Sequence, residues 1–388
     1  MPRDYDFEFV GFHQKNLPSP YLALTFSWIL SSRHFHFHVA SAFIADETYF
    51  SFSIETISSL DKEPGWCLYS CPRKKTEQSP TSSQARMSMD PNVLREKLSG
   101  IFLPISTPFL ENEEVDYEGL IFNLRYYAGT GVKGYLALGS NGENKSLTEE
   151  EKLKVLKTIV THKGQGQVVM AGAAYEAQRD VERFMIEAGT IGGDSLLVLS
   201  PSYFKKQMTE EVLYRFFTTV ADRSPMPLLP YNAPEFNGLN LTPQLVRRLA
   251  AHPNIVGMKD SAPSGIENFL EFASDKFHVL AGSINFLFPA MMRGAVGGTV
   301  SLANSFPLMA LELFDCGVMR DEKKGVLLQE RILRINKAIS GKYGIPGVKA
   351  AMNLAGLKGG IPRRPLLPLT ETQCEELREN LKREGVLT

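Results

Sequence analysis

The sequence predicts an α/β protein: a (β/α)8 TIM barrel with a C-terminal helical region and a poorly structured N-terminal extension. Three observations support this prediction. Short apolar segments recur between residues 101 and 301 at intervals of roughly 19 to 33 residues, which is typical of βα units joined by short loops. Polar residues with catalytic potential follow several of these segments. Beyond residue 302 the strand pattern stops and helical segments follow.

The composition is that of an ordinary globular protein and excludes several classes. The 388 residues are 43% hydrophobic and 22% charged, which excludes a fully disordered chain. A net charge of −1 provides no basic excess for nucleic-acid binding, and four cysteines exclude a disulfide-stabilised scaffold. No segment approaches the ~20 apolar residues of a membrane-spanning helix, so we expect no membrane partner.

The N-terminal part of the chain differs from the rest. Of 31 glycines, only Gly11 and Gly65 precede residue 91, and the stretch ends in a polar run over residues 74–88. Its early residues include acids, which argues against a mitochondrial or a secretory targeting signal. We therefore place a boundary near residue 90.

This boundary divides the chain into three predicted regions. Residues 1–90 form an extension that is disordered or precedes the natural start of the protein at Met87 or Met89. Residues 91–306 form the barrel, and residues 307–388 form the C-terminal helical region.

The predicted strands are continuous apolar runs, which mark strands that are buried on both faces of a parallel sheet. In chain order they are Ile101–Ile105, Gly134–Leu138, Val168–Gly172, Ser195–Leu199, Pro227–Tyr231, Ile255–Lys259, Val279–Gly282 and Gly297–Ser301.

Helix signals lie between and after these runs. Thr148 with Glu151, and Thr370 with Gln373, have the spacing of a capping box, in which each residue satisfies a free N–H group at the helix start. The predicted C-terminal helices cover roughly 307–316, 322–340, 346–356 and 371–384.

Eight parallel units are compatible with a barrel or with a long open sheet. In an open sheet with strands ~4.8 Å apart, the strand ends would be strung out along a line. In a closed barrel they all face one mouth, where barrel enzymes have their active sites. The candidate functional residues follow the second, fourth, fifth, sixth and seventh runs, so we predict a barrel.

Lys259 and Tyr231 are the leading catalytic candidates. Lys259 ends an apolar strand, where a lysine is usually a surface residue whose stem lies on apolar neighbours. If its amine points into the barrel mouth instead, desolvation favours the neutral form, which attacks a ketone to give a Schiff base. Tyr231 ends the preceding strand, where its phenol either packs with the hydroxyl in solvent or moves protons in the reaction.

Smaller polar groups follow the other strands. The turn after the second strand contains Ser140 and Asn141, whose donors and free backbone N–H groups suit a carboxylate, although a plain glycine turn is the alternative. Tyr203 follows the fourth strand, Ser261 the sixth and Gly282 the seventh. Their joint position at strand C-terminal ends is the informative feature.

These motifs resemble the dihydrodipicolinate synthase / N-acetylneuraminate lyase family of class I, Schiff-base aldolases. The resemblance covers residues 98 to about 385, and its motifs are GSNGE at 139–143, PYNAP at 230–234, GMKDS at 257–261 and AGS at 281–283. It implies a (β/α)8 barrel with a C-terminal helical domain, usually assembled as a tetramer. It also implies that no metal or cofactor is needed, because the iminium is the electron sink.

The resemblance assigns roles to the candidate residues. It implies that Lys259 is the Schiff-base lysine, that Tyr231 is the proton shuttle, and that Tyr203 is a relay tyrosine reaching a neighbouring subunit's site. The substrate-binding residues that it implies are Ser140 and Asn141 for the pyruvoyl carboxylate, with Ser261 and Gly282 as further contacts.

One branch of the family fits less well. The synthases carry a carboxylate-binding arginine five residues after the shuttle tyrosine, where this chain has Phe236, and usually a Thr-Thr pair where it has Ser140-Asn141. Asn141 and the stretches 252–261 and 343–349 look most like 4-hydroxy-2-oxoglutarate aldolase, although Phe236 is unusual there too.

The expected activity is therefore that of a pyruvate-releasing lyase that converts 4-hydroxy-2-oxoglutarate to glyoxylate and pyruvate. A 2-keto-3-deoxy-sugar-acid aldolase is the alternative within the class, and a catalytically inactive binding or regulatory barrel is the alternative outside it. We expect a homotetramer with a small 2-oxo acid as its ligand. The compartment stays open between mitochondrial, which the family resemblance suggests, and cytoplasmic; we do not expect a secreted protein.

Overall fold

The computed structural model describes Leu30–Ser31, His34–Phe35 and residues 96–387. The first two segments pair as short antiparallel strands. The predictions that residues 1–90 are disordered or precede the natural start concern residues that, apart from these two segments, lie outside the described ones. Within the part of the chain that is described, no helix is long and apolar enough to cross a membrane.

Eight parallel strands close into a barrel, which confirms the predicted fold. Each strand pairs with the next along the chain, and the last pairs with the first through Gly298 and Ile101. Every strand lies within two residues of its predicted bounds. The strands are β1 (Gly100–Pro104), β2 (Gly134–Ala137), β3 (Val168–Ala173), β4 (Ser195–Leu199), β5 (Leu228–Asn232), β6 (Gly257–Asp260), β7 (His278–Ala281) and β8 (Gly297–Thr299).

Alternate residues along the strands face two different cores. Phe102, Leu136 and Leu280 belong to a small cluster that fills the barrel interior. Tyr135 and Leu196 belong to the larger cluster, which also contains the apolar faces of the helices. Because both faces of each strand are buried, the strands read as continuous apolar runs rather than as alternating patterns.

Helices pack around the barrel, and the helix Glu149–His162 begins where its capping box predicts. Thr148 accepts a hydrogen bond from the Glu151 N–H group, and the Glu151 side chain accepts one from the Thr148 N–H group, as in a capping box. The helices between the strands are Tyr117–Ala128, Glu149–His162, Gln178–Ile191, Glu210–Arg223, Pro234–Asn237, Pro243–Ala250, Ile266–Leu270 and Leu287–Met292.

Helices also follow the barrel, at the predicted positions. A five-residue π-helical turn, Lys337–Gly341, separates the helix Glu322–Asn336 from the helix Lys342–Leu354. The helix Lys342–Leu354 is broken at Gly344 (φ 58°, ψ −140°), just before Pro346. This break explains why the sequence predicts a helix that begins at residue 346. The helices are Pro307–Met319, Glu322–Asn336, Lys342–Leu354 and Glu371–Arg383.

Candidate active site

Lys259 and Tyr231 meet inside the barrel, at the C-terminal ends of adjacent strands. Tyr231 on β5 is the register partner of Lys259 on β6, so both side chains leave the sheet on the same face. The Lys259 Nζ lies 4.2 Å from the centre of the Tyr231 ring. The residues are 4% and 6% exposed, respectively. The barrel thus presents a buried primary amine beside a phenol, rather than the surface lysine of the alternative interpretation.

Ser261 and Gly282 complete this side of the site. The Ser261 hydroxyl donates a hydrogen bond to the Tyr231 hydroxyl at 3.4 Å. The Gly282 N–H group donates to the Asp260 carbonyl at 2.6 Å. A Cβ atom at residue 282 would lie 1.9 Å from the Ser261 Oγ, so only glycine permits this close approach of β7 to β6.

The turn after β2 faces Lys259 and Tyr231 across the barrel mouth. Ser140 to Gly142 form a short 3₁₀ turn. The Asn141 Nδ2 donates to the Ser301 hydroxyl at 2.6 Å, which fixes the amide against the end of β8. The turn is flanked by Leu138 (φ 59°) and Glu143 (φ 52°). Both residues have a left-handed backbone conformation, which is unfavourable for any residue with a side chain. Such strain is concentrated at functional sites, where the surrounding structure holds it in place.

A buried ion pair holds this turn in place. The Lys349 Nζ lies 2.5 Å from a Glu143 carboxylate oxygen, and both side chains are 1% exposed. The same amine donates to the carbonyls of Thr107 and Ile361 at 2.7 Å. Burial lowers the pKa of Lys349 to about 8, and the Glu143 carboxylate opposes that shift. The C-terminal helix that carries Lys349 is thereby held against the Ser140–Gly142 turn.

A second buried polar pair joins the residues that follow Tyr231 and Lys259. The Asn232 Nδ2 donates to an Asp260 carboxylate oxygen at 2.7 Å. The Asn232 side-chain oxygen accepts from the Leu241 N–H group at 2.9 Å, which ties the loop after Phe236 to the strands. Desolvation raises the pKa of Asp260 to about 6, and its second carboxylate oxygen is buried without a hydrogen-bond partner among the described residues.

Lys259, Tyr231 and the Ser140-Asn141 turn line one cavity of about 440 Å³, which is a suitable size for a small metabolite. Phe236 lies at its edge, at the position predicted to lack the synthase arginine, and is 60% exposed. The predicted site residues that line the cavity are Ser140, Asn141, Tyr231, Lys259, Ser261 and Gly282.

A smaller cavity of about 240 Å³ adjoins the first. Ser140, Tyr231, Phe236 and Ile345 line both, so the two cavities meet above Tyr231. Apolar side chains from β4 and from the C-terminal region form much of the smaller cavity's wall.

Tyr203 does not join the other predicted site residues. Its side chain is 80% exposed and packs edge-on against Phe204, with 5.1 Å between ring centres. Its backbone N–H group donates to the Glu176 carboxylate. The prediction that Tyr203 serves a neighbouring subunit stays a prediction, because only one chain is described.

Sequence reasoning missed several contributors to the site. Glu143 lies in the GSNGE motif, but the sequence assigned it no role. The sequence likewise assigned no role to Lys349 or Ser301. The C-terminal region also lines the larger cavity through Ser340 and Ile345. For Lys349, the signal in the sequence was a single charged residue within the apolar stretch 345–352, which indicates a buried lysine with a partner.

Acidic, histidine and cysteine side chains do not cluster as metal ligands do. Among residues 96–387, no group of three or more such residues is placed to hold an ion. The chemistry proposed below uses the side chains of the chain itself.

Comparisons with known proteins agree with this geometry. A model of the dihydrodipicolinate synthetase family matches residues 97–384. A 4-hydroxy-tetrahydrodipicolinate synthase of Geobacter metallireducens is 32% identical over 285 residues, covering 73% of this chain and 97% of the relative. A protein of the same name from Symbiobacterium thermophilum is 35% identical over 286 residues, covering 72% and 96%.

Solved structures give the same result. YagE, a prophage protein of the dihydrodipicolinic acid synthase family from E. coli K12, was solved in complex with pyruvate. It has a TM-score of 0.70 and 26% identity, and the match covers 74% of this chain and 99% of YagE. A monomeric dihydrodipicolinate synthase variant has a TM-score of 0.69 and 28% identity, with coverage of 75% and 98%.

Proposed function

Because the chain belongs to the dihydrodipicolinate synthetase family and is a carbon–carbon lyase of the Schiff-base aldolase type, we propose that it releases pyruvate from a 4-hydroxy-2-oxo acid. The observation that carries the proposal is the buried Lys259 amine against the Tyr231 ring, opposite the Ser140-Asn141 turn in one cavity. The YagE complex supports pyruvate as the common product, since pyruvate is the ligand in that relative.

Imine formation is the first step. The neutral Lys259 amine attacks the C2 carbonyl of the substrate to give a neutral carbinolamine. Tyr231 donates its phenol proton to the carbinolamine hydroxyl, which leaves as water, so the products are the iminium and the Tyr231 phenolate. Ser140 and Asn141 hold the C1 carboxylate through hydroxyl, amide and backbone donors. The contact between Asn141 and Ser301 fixes the orientation of that amide before the substrate binds.

Carbon–carbon cleavage follows. The Tyr231 phenolate removes the proton of the C4 hydroxyl, the C3–C4 bond breaks, and its electron pair passes into the iminium to give an enamine and a free aldehyde. Tyr231 then gives this proton to C3 of the enamine. Addition of water to the resulting iminium releases pyruvate and restores the Lys259 amine and the Tyr231 phenol. The hydrogen bond from Ser261 orients the Tyr231 hydroxyl throughout.

The proposed substrate is 4-hydroxy-2-oxoglutarate, which yields glyoxylate and pyruvate. Phe236 supports this choice over the activity of the named relatives, because it removes the cation that binds the second substrate in synthases. The hydroxyl and amide groups around the larger cavity, including Ser283, Asn285 and Ser340, support a 2-keto-3-deoxy-sugar acid as the second candidate.

Purified enzyme assayed for pyruvate release from both substrates tests the proposal. We expect turnover of 4-hydroxy-2-oxoglutarate to exceed that of the sugar acid, and no useful condensation of pyruvate with aspartate semialdehyde. Efficient dihydrodipicolinate formation would show that Phe236 does not exclude the synthase reaction. Absence of pyruvate release from every 2-oxo acid tested would favour an inactive, binding barrel.

A homotetramer is part of the proposal. Exposed Tyr203 and Phe204 provide an apolar surface at the end of β4, on the rim of the barrel mouth. We propose that another chain covers this surface and that its Tyr231 lies near Tyr203.

A further inference from the structure

The two cavities of the site contain few charged groups. The charged residues in their walls are Glu143, Lys145, Glu235 and Lys259. Glu143 is neutralised by Lys349, and Glu235 repels an anion. Lys259 is the proposed nucleophile, which leaves Lys145 as the cation of the lining residues that can meet a second carboxylate.

We propose that Lys145 binds the distal carboxylate of the substrate and selects 4-hydroxy-2-oxo acids that end in a carboxylate. This inference rests on the proposed lyase function and assigns the aldehyde half of the substrate to the smaller cavity. Lys145 thereby performs, from the β2 side of the mouth, the task that Phe236 cannot perform from the β5 side.

The position of Lys145 follows from the fold. It lies in the 3₁₀ turn Asn144–Ser146, directly after the ion-paired Glu143. Its amine donates a hydrogen bond to the carbonyl of Ala174, at the end of β3, and Ala174 also lines the smaller cavity. The amine is therefore held at the cavity wall. Since an ammonium has three N–H donors, two remain for a ligand.

Two neighbouring carboxylates, Glu149 and Glu176, favour the charged form of Lys145, and each has further partners of its own. Glu149 pairs with Lys152 at 2.6 Å and accepts a hydrogen bond from the Tyr175 hydroxyl. Glu176 accepts the backbone N–H groups of Ser202 and Tyr203. Desolvation lowers the pKa of Lys145 by more than these two carboxylates raise it, so a further carboxylate beside the amine would stabilise the charged form.

The apolar wall of the smaller cavity makes the Lys145 charge important for binding a carboxylate. Leu138, Leu197, Leu199 and Leu366 line the smaller cavity. A carboxylate loses its hydration on entering such a space and needs a charged partner there. The cavity joins the catalytic one at Ser140 and Tyr231, so a substrate whose C4 hydroxyl lies at Tyr231 can direct its remaining carbons toward Lys145.

The test compares two substrates that differ only at the distal end. 4-Hydroxy-2-oxoglutarate ends in a carboxylate, and 4-hydroxy-2-oxopentanoate ends in a methyl group; both release pyruvate. We expect Lys145→Met to lower kcat/KM for the first by roughly 10- to 100-fold, the loss of a charge-assisted hydrogen bond, and to leave the second unchanged. Lys145→Arg should restore most of the loss. Lys152→Met is the matched control, since Lys152 is nearby but does not line either cavity.

A binding measurement keeps the inference separate from the proposed function. 2-Oxoglutarate and 2-oxopentanoate lack the C4 hydroxyl and cannot be cleaved. Calorimetry should show tighter binding of 2-oxoglutarate to the unmodified chain and loss of that preference in Lys145→Met. If both ligands bind equally to the unmodified chain, or if Lys145→Met weakens both equally, the inference is overturned whether or not the enzyme releases pyruvate.

Discussion

Asp260 lies next to the proposed nucleophile in the chain, yet its side chain leaves β6 on the opposite face. There its carboxylate is buried with Asn232 and with the backbone N–H group of Ala262 as hydrogen-bond donors. These contacts couple β6 to β5 directly after Lys259 and Tyr231. The relative position of amine and phenol therefore depends on a carboxylate that does not face the cavity.

Burial of Asp260 predicts a pH-dependent stability. The folded state holds the pKa of Asp260 near 6, against a usual 3.8. Its contribution to the free energy of unfolding is therefore full below about pH 4 and is lost as the pH rises through 6. Relative to Asp260→Asn, the unmodified protein should lose up to about 3 kcal/mol between pH 4 and pH 7.

Urea unfolding at several pH values checks this expectation. The amide oxygen introduced by Asp260→Asn can still accept both hydrogen bonds, so the comparison isolates the charge. Replacement of the exposed Asp315 by asparagine is the control and should leave the pH profile as it is. Parallel pH profiles for the unmodified protein and Asp260→Asn would contradict the assignment.

At the scale of elements, the catalytic turn after β2 depends on a helix of the C-terminal region. Lys349, on the helix Lys342–Leu354, is the buried partner of Glu143. Arg363 adds a backbone N–H group to the same carboxylate at 2.9 Å. The C-terminal region thus holds the turn that carries Ser140 and Asn141, in addition to lining the cavity.

Breaking this ion pair from one side should be costly. Lys349→Met leaves the Glu143 charge buried without its partner, so we expect a loss of about 3–5 kcal/mol in the free energy of unfolding. Adding Glu143→Gln to that variant should return part of the loss, because the unpaired charge is removed. Chemical unfolding of the single and double variants measures the coupling.

The surface ion pair between Lys342 and Glu376 is the matched control. Both side chains are about half exposed, so Lys342→Met should cost no more than about 1 kcal/mol. Equal losses for Lys349→Met and Lys342→Met would mean that the buried pair does not hold the turn.

The contrast between strands and tertiary contacts explains what the sequence could and could not predict. Strand positions and the candidates Lys259, Tyr231 and Ser140 were predictable, because continuous apolar runs locate the strands and parallel strands bring their C-terminal ends to one mouth. The partnership of Lys349 with Glu143 was not, because it depends on how a C-terminal helix packs against the barrel. The same holds for Ile345, which reaches the cavity only through the break at Gly344.

On the scale of the whole molecule, the exposed rim around Tyr203 predicts assembly. We expect a tetramer in sedimentation velocity, and we expect Tyr203→Phe to lower turnover by roughly 10²-fold, the effect of losing a proton relay. Tyr126→Phe replaces another exposed tyrosine and should have no such effect. One of the structural relatives is a monomeric dihydrodipicolinate synthase variant. A fully active monomer would refute this part of the proposal.

The central claim is that Lys259 forms a Schiff base with a 2-oxo acid, and borohydride trapping with pyruvate tests it most directly. Reduction should freeze the adduct as a secondary amine on Lys259, located by peptide mass spectrometry. Lys259→Arg should abolish trapping and turnover, since arginine stays protonated and is not a usable nucleophile. Tyr231→Phe should still be trapped slowly, while its turnover falls by roughly 10²- to 10⁴-fold, because the nucleophile remains but the proton shuttle is lost. An adduct on a different lysine, or activity that persists without any adduct, would contradict the mechanism.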